Sequence, residues 1–195
     1  MALVNQVQRP AFRWLLRACL LLILLPGFQM AEAQTAENSA LEWQVKAAYL
    51  YKFGNYIEWP PSAFASADSA LKIGILGADA LADELLKISA GRTINGRLVS
   101  VHKLRREDSL AGMNVLFIGR SNRSRLADIL ASVKGQPVLT VTESDDALAA
   151  GSMINLVVVD AKLRFEVAPR PAAPGNLVIS ARLLAVAYKV ALGPT

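Results

Sequence analysis

His102 is the one histidine of the 195-residue chain and Cys19 the one cysteine. Side chains that most often move protons, attack as thiolates or ligate transition metals are therefore nearly missing. A lone imidazole can act as a base but cannot join a multi-histidine metal site. Hydrolysis through His102 would need a nucleophile. Ser100 and Ser121 offer hydroxyls, yet no Gly-x-Ser-x-Gly elbow exposes either, and the pattern names no triad partner. His102 thus reads as a strand-edge or surface residue. The adjacent carboxylates Glu107-Asp108 and Asp145-Asp146 point to different sides of any regular element, so neither pair forms an acid/base couple across a scissile bond. Gly74-x-x-Gly77 follows an apolar run as a phosphate loop would, but it lacks the third glycine and the lysine. Asp79 would also put negative charge where the anion belongs. Arg105-Arg106 and the cluster Arg120, Arg123 and Arg125 could meet an acidic partner, arginine being enriched at contacts, although such groups are more often solvated faces. The expectation is a protein that is no enzyme, with no catalytic residue, no metal ligand set and no cofactor.

The start of the chain is of another kind. Arg9, Arg13 and Arg17 precede the apolar run Ala18 to Leu25, broken by Pro26-Gly27 and followed by Ala31-Glu32-Ala33. Basic region, apolar core and A-x-A site make a signal peptide over residues 1–33, cleaved after Ala33, and the mature domain is 34–195. The run is shorter than the roughly 20 residues that span a bilayer. Arg17, two residues before Cys19, argues against a lipoprotein. Cleavage leaves 18 basic against 15 acidic side chains, a formal charge of +3 over 162 residues, and no cysteine. Disulfides and thiol chemistry are then excluded in a compartment that permits them. Arginines are interspersed with acids and no basic block is interleaved with aromatics, so nucleic acid is not an expected partner.

Positioning of the remaining candidates falls to alternating elements. Leu41, Val45, Ala48, Tyr49, Phe53 and Tyr56 recur at helical spacing, which predicts an amphipathic helix from Ala40 to Tyr56, capped by Asn38 or Ser39 and ended by Glu58-Trp59-Pro60-Pro61. Strands are predicted over 71–76, 98–102, 115–118, 137–141 and 153–159, the last paired with Phe165-Glu166-Val167 as an antiparallel hairpin. Helices are predicted over 80–89, with Asp79 as cap, from Ser121 or Asn122 to Ser132, and over Ile179 to Val190, with a helical turn over 145–149. Several strands are apolar throughout. That argues for one α/β domain, a mixed, mostly parallel sheet of about five or six strands flanked by helices. Tyr49, Tyr51, Phe53, Tyr56, Trp59 and Phe64 gather near the first helix. Most belong to a core, whereas Trp59 at the loop junction and Tyr51 off the stripe could join a docking surface.

Taken in order, several segments resemble the YfiR-like family: Val45-Lys46-Ala47-Ala48-Tyr49-Leu50-Tyr51-Lys52-Phe53, Tyr56-Ile57-Glu58-Trp59-Pro60, Ile73-Gly74-Ile75-Leu76-Gly77 and Gly91-Arg92. Further on come 115–118, 137–141, Gly151, Arg164-Phe165-Glu166-Val167 and Ser180-x-x-Leu183-Leu184. The likeness covers nearly all of residues 40–192. It implies a periplasmic regulatory protein that binds the periplasmic sensor region of an inner-membrane signalling enzyme, a diguanylate cyclase or a sensor kinase. It would repress that enzyme, lower cyclic di-GMP, and be withdrawn in turn by an outer-membrane lipoprotein. Trp59 and Arg164-Phe165-Glu166 are the expected contact or supporting residues. The local alternative for Arg164 and Glu166 is an ion pair that holds the hairpin. The sequence admits a homodimer without requiring one. The competing reading is a periplasmic small-molecule binder with a pocket at the carboxyl ends of the strands.

Overall fold

The structure, a computed structural model, describes residues 26–191, with side chains from 38 onward apart from residue 171. The basic and apolar start, through Leu25, lies outside the described residues. The chain divides into two compact units between Leu41 and Glu42. The described part of the first unit, 26–41, is helical throughout. The sheet and both cores belong to the second.

Helix α1 spans Pro26–Gly54, and its residues from Glu42 onward open the second unit. Asn38 and Ser39 lie inside it rather than capping it, and it ends at Gly54, two residues before the expected Tyr56. Its buried face is the predicted one only in part, at Phe53 and at Tyr49, which packs against the core. Leu41, Val45 and Tyr56 are exposed, whereas Lys46, Ala47, Leu50 and Phe53 are buried. Two sets at helical spacing competed, and the buried set was concealed by a lysine.

Short strand β1 (Ile57–Glu58) is followed by β2 (Leu71–Leu76), α2 (Asp79–Ser89), β3 (Thr93–Ile94), β4 (Arg97–Leu104) and β5 (Val115–Ile118). After a 3-10 turn over Arg120–Arg125 come α3 (Leu126–Ser132), β6 (Leu139–Thr142), β7 (Ile154–Val159) and β8 (Lys162–Val167). A further 3-10 turn, Arg170–Gly175, leads to β9 (Val178–Ile179), α4 (Ala181–Val186) and β10 (Lys189–Val190). The main sheet has eight strands in the order β10-β8-β7-β6-β5-β2-β4-β3, two or three more than expected, and β1 pairs with β9 beside it. Strands β4, β2, β5, β6 and β7 are mutually parallel, β7 and β8 form the expected antiparallel hairpin, and β10 returns parallel to β8. The α/β class and the mostly parallel sheet are as the sequence indicated.

Helices cover both faces, which is why every residue of β5 and β6 is buried. Leu50 and Phe53 of α1 and Leu81 and Leu85 of α2 pack on Ile73, Ile75, Phe117 and Val141. On the opposite face, Leu126, Ile129 and Leu130 of α3 pack on Leu116 and Ile118. Asp79 opens α2 without a side-chain capping bond, so its carboxylate contributes only its charge at the helix start. The predicted closing helix over 179–190 is a strand, a six-residue helix and a strand. Ser180 Oγ accepts the Arg182 N–H at 3.2 Å to start α4, and Tyr188 N–H donates to Phe165 O at 2.9 Å. Pairing with β8 overrides the helical spacing there.

Candidate functional site

Ionisable side chains converge most closely at the carboxyl ends of the parallel strands. Glu143 follows β6 directly and is buried. Its Oε2 lies 2.5 Å from Nζ of Lys46, which is buried as well and stands on α1. The same ammonium lies 2.5 Å from Oε1 of Glu42, one turn earlier, and 4.5 Å from the centre of the Trp43 ring. Glu143 Oε1 accepts the Arg120 N–H at 3.2 Å, and Arg120 Nε–H donates back to Glu143 O at 3.0 Å. One carboxylate thus ties α1, the end of β6 and the turn after β5 together. Burial of two opposite charges costs desolvation that only close, well-bonded geometry offsets, and each oxygen of Glu143 has its donor.

Beside this pair opens a cleft of about 710 Å³ walled by Arg120, Arg123, Glu143, Asp145 and Asn155. Arg123 pairs with Asp145 at 3.2 Å, both well exposed. Asn155 Oδ1 lies 2.9 Å from Thr142 Oγ1 and accepts the Ser144 N–H at 3.2 Å. The charged groups here are engaged with one another. Their arrangement holds elements in place and presents a mixed polar rim.

Other candidate residues have local work. Gly77 has φ of +73°, and a Cβ there would clash with Ser121 Oγ and Asn122 Nδ2. Its carbonyl accepts the Ser121 hydroxyl at 3.0 Å, so the Gly74-to-Gly77 turn is closed by a side chain. Ser100 Oγ and His102 Nε2 are 3.0 Å apart, as neighbours on one face of strand β4, and no carboxylate among the described residues bonds the ring. The dyad has no orienting acid.

Trp59 is half-buried and donates its Nε1–H to Asn114 O at 3.2 Å. Tyr51 Oη donates to Thr93 O at 3.0 Å. Phe165 is only 5% exposed, its ring 5.7 Å from Tyr49 and 5.1 Å from Phe53, edge-on to both. Arg164 is exposed, and Glu166 is half-buried beside Lys189. No ion pair among the described residues joins Arg164 to Glu166. Trp59 sits against the start of β5, whereas 164–166 lie on β8, three strands away, or about 14 Å at the usual strand spacing. The structure does not bring the two together.

Lys46 and Glu143 were not singled out as a pair by the sequence. They are 97 positions apart, and the one available signal was an acid placed directly after an apolar strand.

A family model described as YfiR/HmsC-like matches residues 43–188. The chain belongs to the YfiR/HmsC-like family. The match runs from Trp43, beneath the Lys46 ammonium, to Tyr188, where the chain meets β8, so this member carries nearly the whole described sheet within the family's span. No curated protein matches the chain. No helix among the described residues is long and apolar enough to cross a membrane.

Proposed function

We propose that the chain is a periplasmic regulatory protein which, once its signal peptide is removed after Ala33, docks on the periplasmic sensor region of an inner-membrane diguanylate cyclase and represses it. The YfiR/HmsC-like match over residues 43–188 carries this reading, since the family is regulatory rather than catalytic. The mechanism is linkage. A protein that binds the inactive conformation of a sensor more tightly than the active one shifts its population, and each 1.4 kcal/mol of difference is about tenfold. Sequestration by an outer-membrane lipoprotein would reverse the shift by mass action. No bond is made or broken.

The carboxyl-end geometry supports such a role. Its charged groups are paired into a fixed scaffold, and the exposed Arg164 stands on β8 while buried Phe165 keeps that strand seated. Arg164 and Glu166 serve as contacts, and Trp59 and Phe165 as support. The test is affinity purification of the tagged full-length protein from solubilised membranes, with cyclic di-GMP measured in a deletion strain. A cyclase should co-purify, Arg164→Glu should reduce its recovery without lowering Tm, and deletion should raise cyclic di-GMP. Unchanged cyclic di-GMP together with no recovered cyclase would sink the reading.

A further inference from the structure

Strand β4, with 8 residues the longest strand described, is covered on its outer side for only part of its length. β3 pairs with Arg97 and Leu98 alone, and just beyond it Val99 N–H donates to Arg92 O at 3.3 Å. Successive peptide groups of an extended chain point to opposite edges. Val101 and Lys103 therefore turn their N–H and C=O the same way as Val99, away from β2. No backbone partner among the described residues reaches these groups. The row closes at Arg105, whose N–H is taken by Asp108 Oδ2 at 2.7 Å. What remains is a short open edge at the β3 margin of the main sheet, whose other margin is the two-residue β10. Lys103 does not screen it, since its ammonium is drawn to Asp83 on α2, 2.7 Å away.

Charge beside the open edge says what can join it. Residues 97–106 carry four basic side chains and no acid. A second copy of the chain would bring the same cations to the seam, where like charges repel. Where β4 ends, Arg105, Arg106 and Arg125 line a hollow of about 260 Å³, below the roughly 300 Å³ at which small-ligand sites begin. Asp108 and Asp128 line it too, but Asp108 is engaged by the Arg105 N–H. Arg105 and Arg106 are exposed and in no ion pair among the described residues. Nη1 of Arg125 is enclosed with no acceptor, a cost that an acceptor brought into the hollow removes. Guanidinium groups match the planar fork of a carboxylate. We propose that the outer edge of β4 docks an extended, acidic segment of a partner protein, which pairs its backbone with Val101 and Lys103 and sets a carboxylate among Arg105, Arg106 and Arg125. In such strand addition the main chain gives affinity and the side chains give specificity. This edge lies across the sheet from β8, and the inference stands without the regulatory reading.

Synthetic peptides test this on the purified protein: one of alternating Glu and Val, one of alternating Lys and Val, and the Glu/Val peptide with every backbone nitrogen methylated. Fluorescence anisotropy of labelled peptide gives affinity, and hydrogen exchange at the Val101 and Lys103 amides gives the place. The Glu/Val peptide should bind saturably, more weakly in high salt, and should slow exchange at both amides. The Lys/Val and methylated peptides should bind at least tenfold more weakly. Reversing two exposed charges together, Arg105→Glu with Arg106→Glu, should weaken the Glu/Val peptide at least tenfold. Lys103→Pro removes one outward donor at an edge, where proline is tolerated, and should abolish binding. The proposal is overturned if the Glu/Val peptide does not bind, if the Lys/Val peptide binds as well, or if the methylated peptide does. Unchanged exchange at Val101 and Lys103, read in the wild-type protein and so independent of any variant's folding, overturns it equally. So does a dimer that protects the two amides without peptide, since a second copy would then be the occupant.

Discussion

Strands β5, β6 and β7 have two ends, and the two are finished in opposite ways. At the carboxyl end, Lys46, Glu143, Arg120, Arg123 and Asp145 are bonded to one another or to nearby backbone. At the amino end, Lys134 and Arg170 stand around an apolar cavity without an acid in its lining. The difference separates two uses of charge. A buried cation that already has its anion is committed to holding the fold, whereas an exposed one such as Lys134 keeps its charge in water. Open α/β sheets usually bind ligands at the carboxyl edge, and here the cleft at that edge is walled by charged groups already bonded to one another.

The strongest way to break this contrast is to remove one partner of the buried pair. Lys46→Met strands Glu143, and unfolding in urea should show a loss of about 3–5 kcal/mol. The double variant Lys46→Met, Glu143→Leu should recover most of it, because apolar replacement of a whole buried pair is often near neutral. Recovery would show that the pair specifies position more than it adds stability.

Asn114 sharpens the contrast from the other side, since the amino end is not loose throughout. Its Oδ1 accepts the Lys72 N–H at 2.9 Å and its Nδ2 donates to Ala63 O at 3.1 Å. Asn114→Ala leaves a backbone donor and a backbone acceptor without partners, and should cost about 2–3 kcal/mol in the same measurement. The exposed pair Arg123–Asp145 should matter far less. A double-mutant cycle on it should return no more than about 0.5 kcal/mol, and less in high salt.

Lys103, toward the sheet edge, gives the smallest effect. A hydrogen bond from its ammonium to the Asp83 carboxylate, 2.7 Å away, raises its pKa above the ordinary 10.5; desolvation opposes this, and the charges of Asp83 and Asp79 add to it. A folded-state value above the unfolded one contributes stability that is fully present below pH 10.5 and is lost as pH rises through the folded value. The Tm difference between the wild type and Lys103→Gln should therefore shrink in alkali, by an amount that exposure keeps small.

Much of the fold was legible because its strands are runs of apolar residues with turn signals between them. Leu71 to Leu76 and Val115 to Ile118 fall where the pattern put them. Two segments were misread for the same reason, that spacing alone does not say what a segment meets. Lys46 looked like a solvent-side residue because its counter-charge is far away in the chain. Ile179 to Val190 has helical spacing, but β8 needed a neighbour and drew Lys189 and Val190 into a strand. At the candidate site, Glu143 was one acid among 16, and only the folded sheet sets it opposite α1. The cavity was harder to foresee, since Leu130, Thr140, Met153 and Arg170 share no periodicity and come from separate stretches of the chain.

The last strand also sets a timetable. Phe165 and Val167 receive their outer backbone bonds from Tyr188 and Ala191, and β1 is matched by β9 from more than a hundred residues later. A polypeptide made amino end first holds these edges open until residues 178–191 have been made. Closing this margin is therefore a late event in synthesis, and a variant that lacks residues 188–191 would leave β8 an open edge.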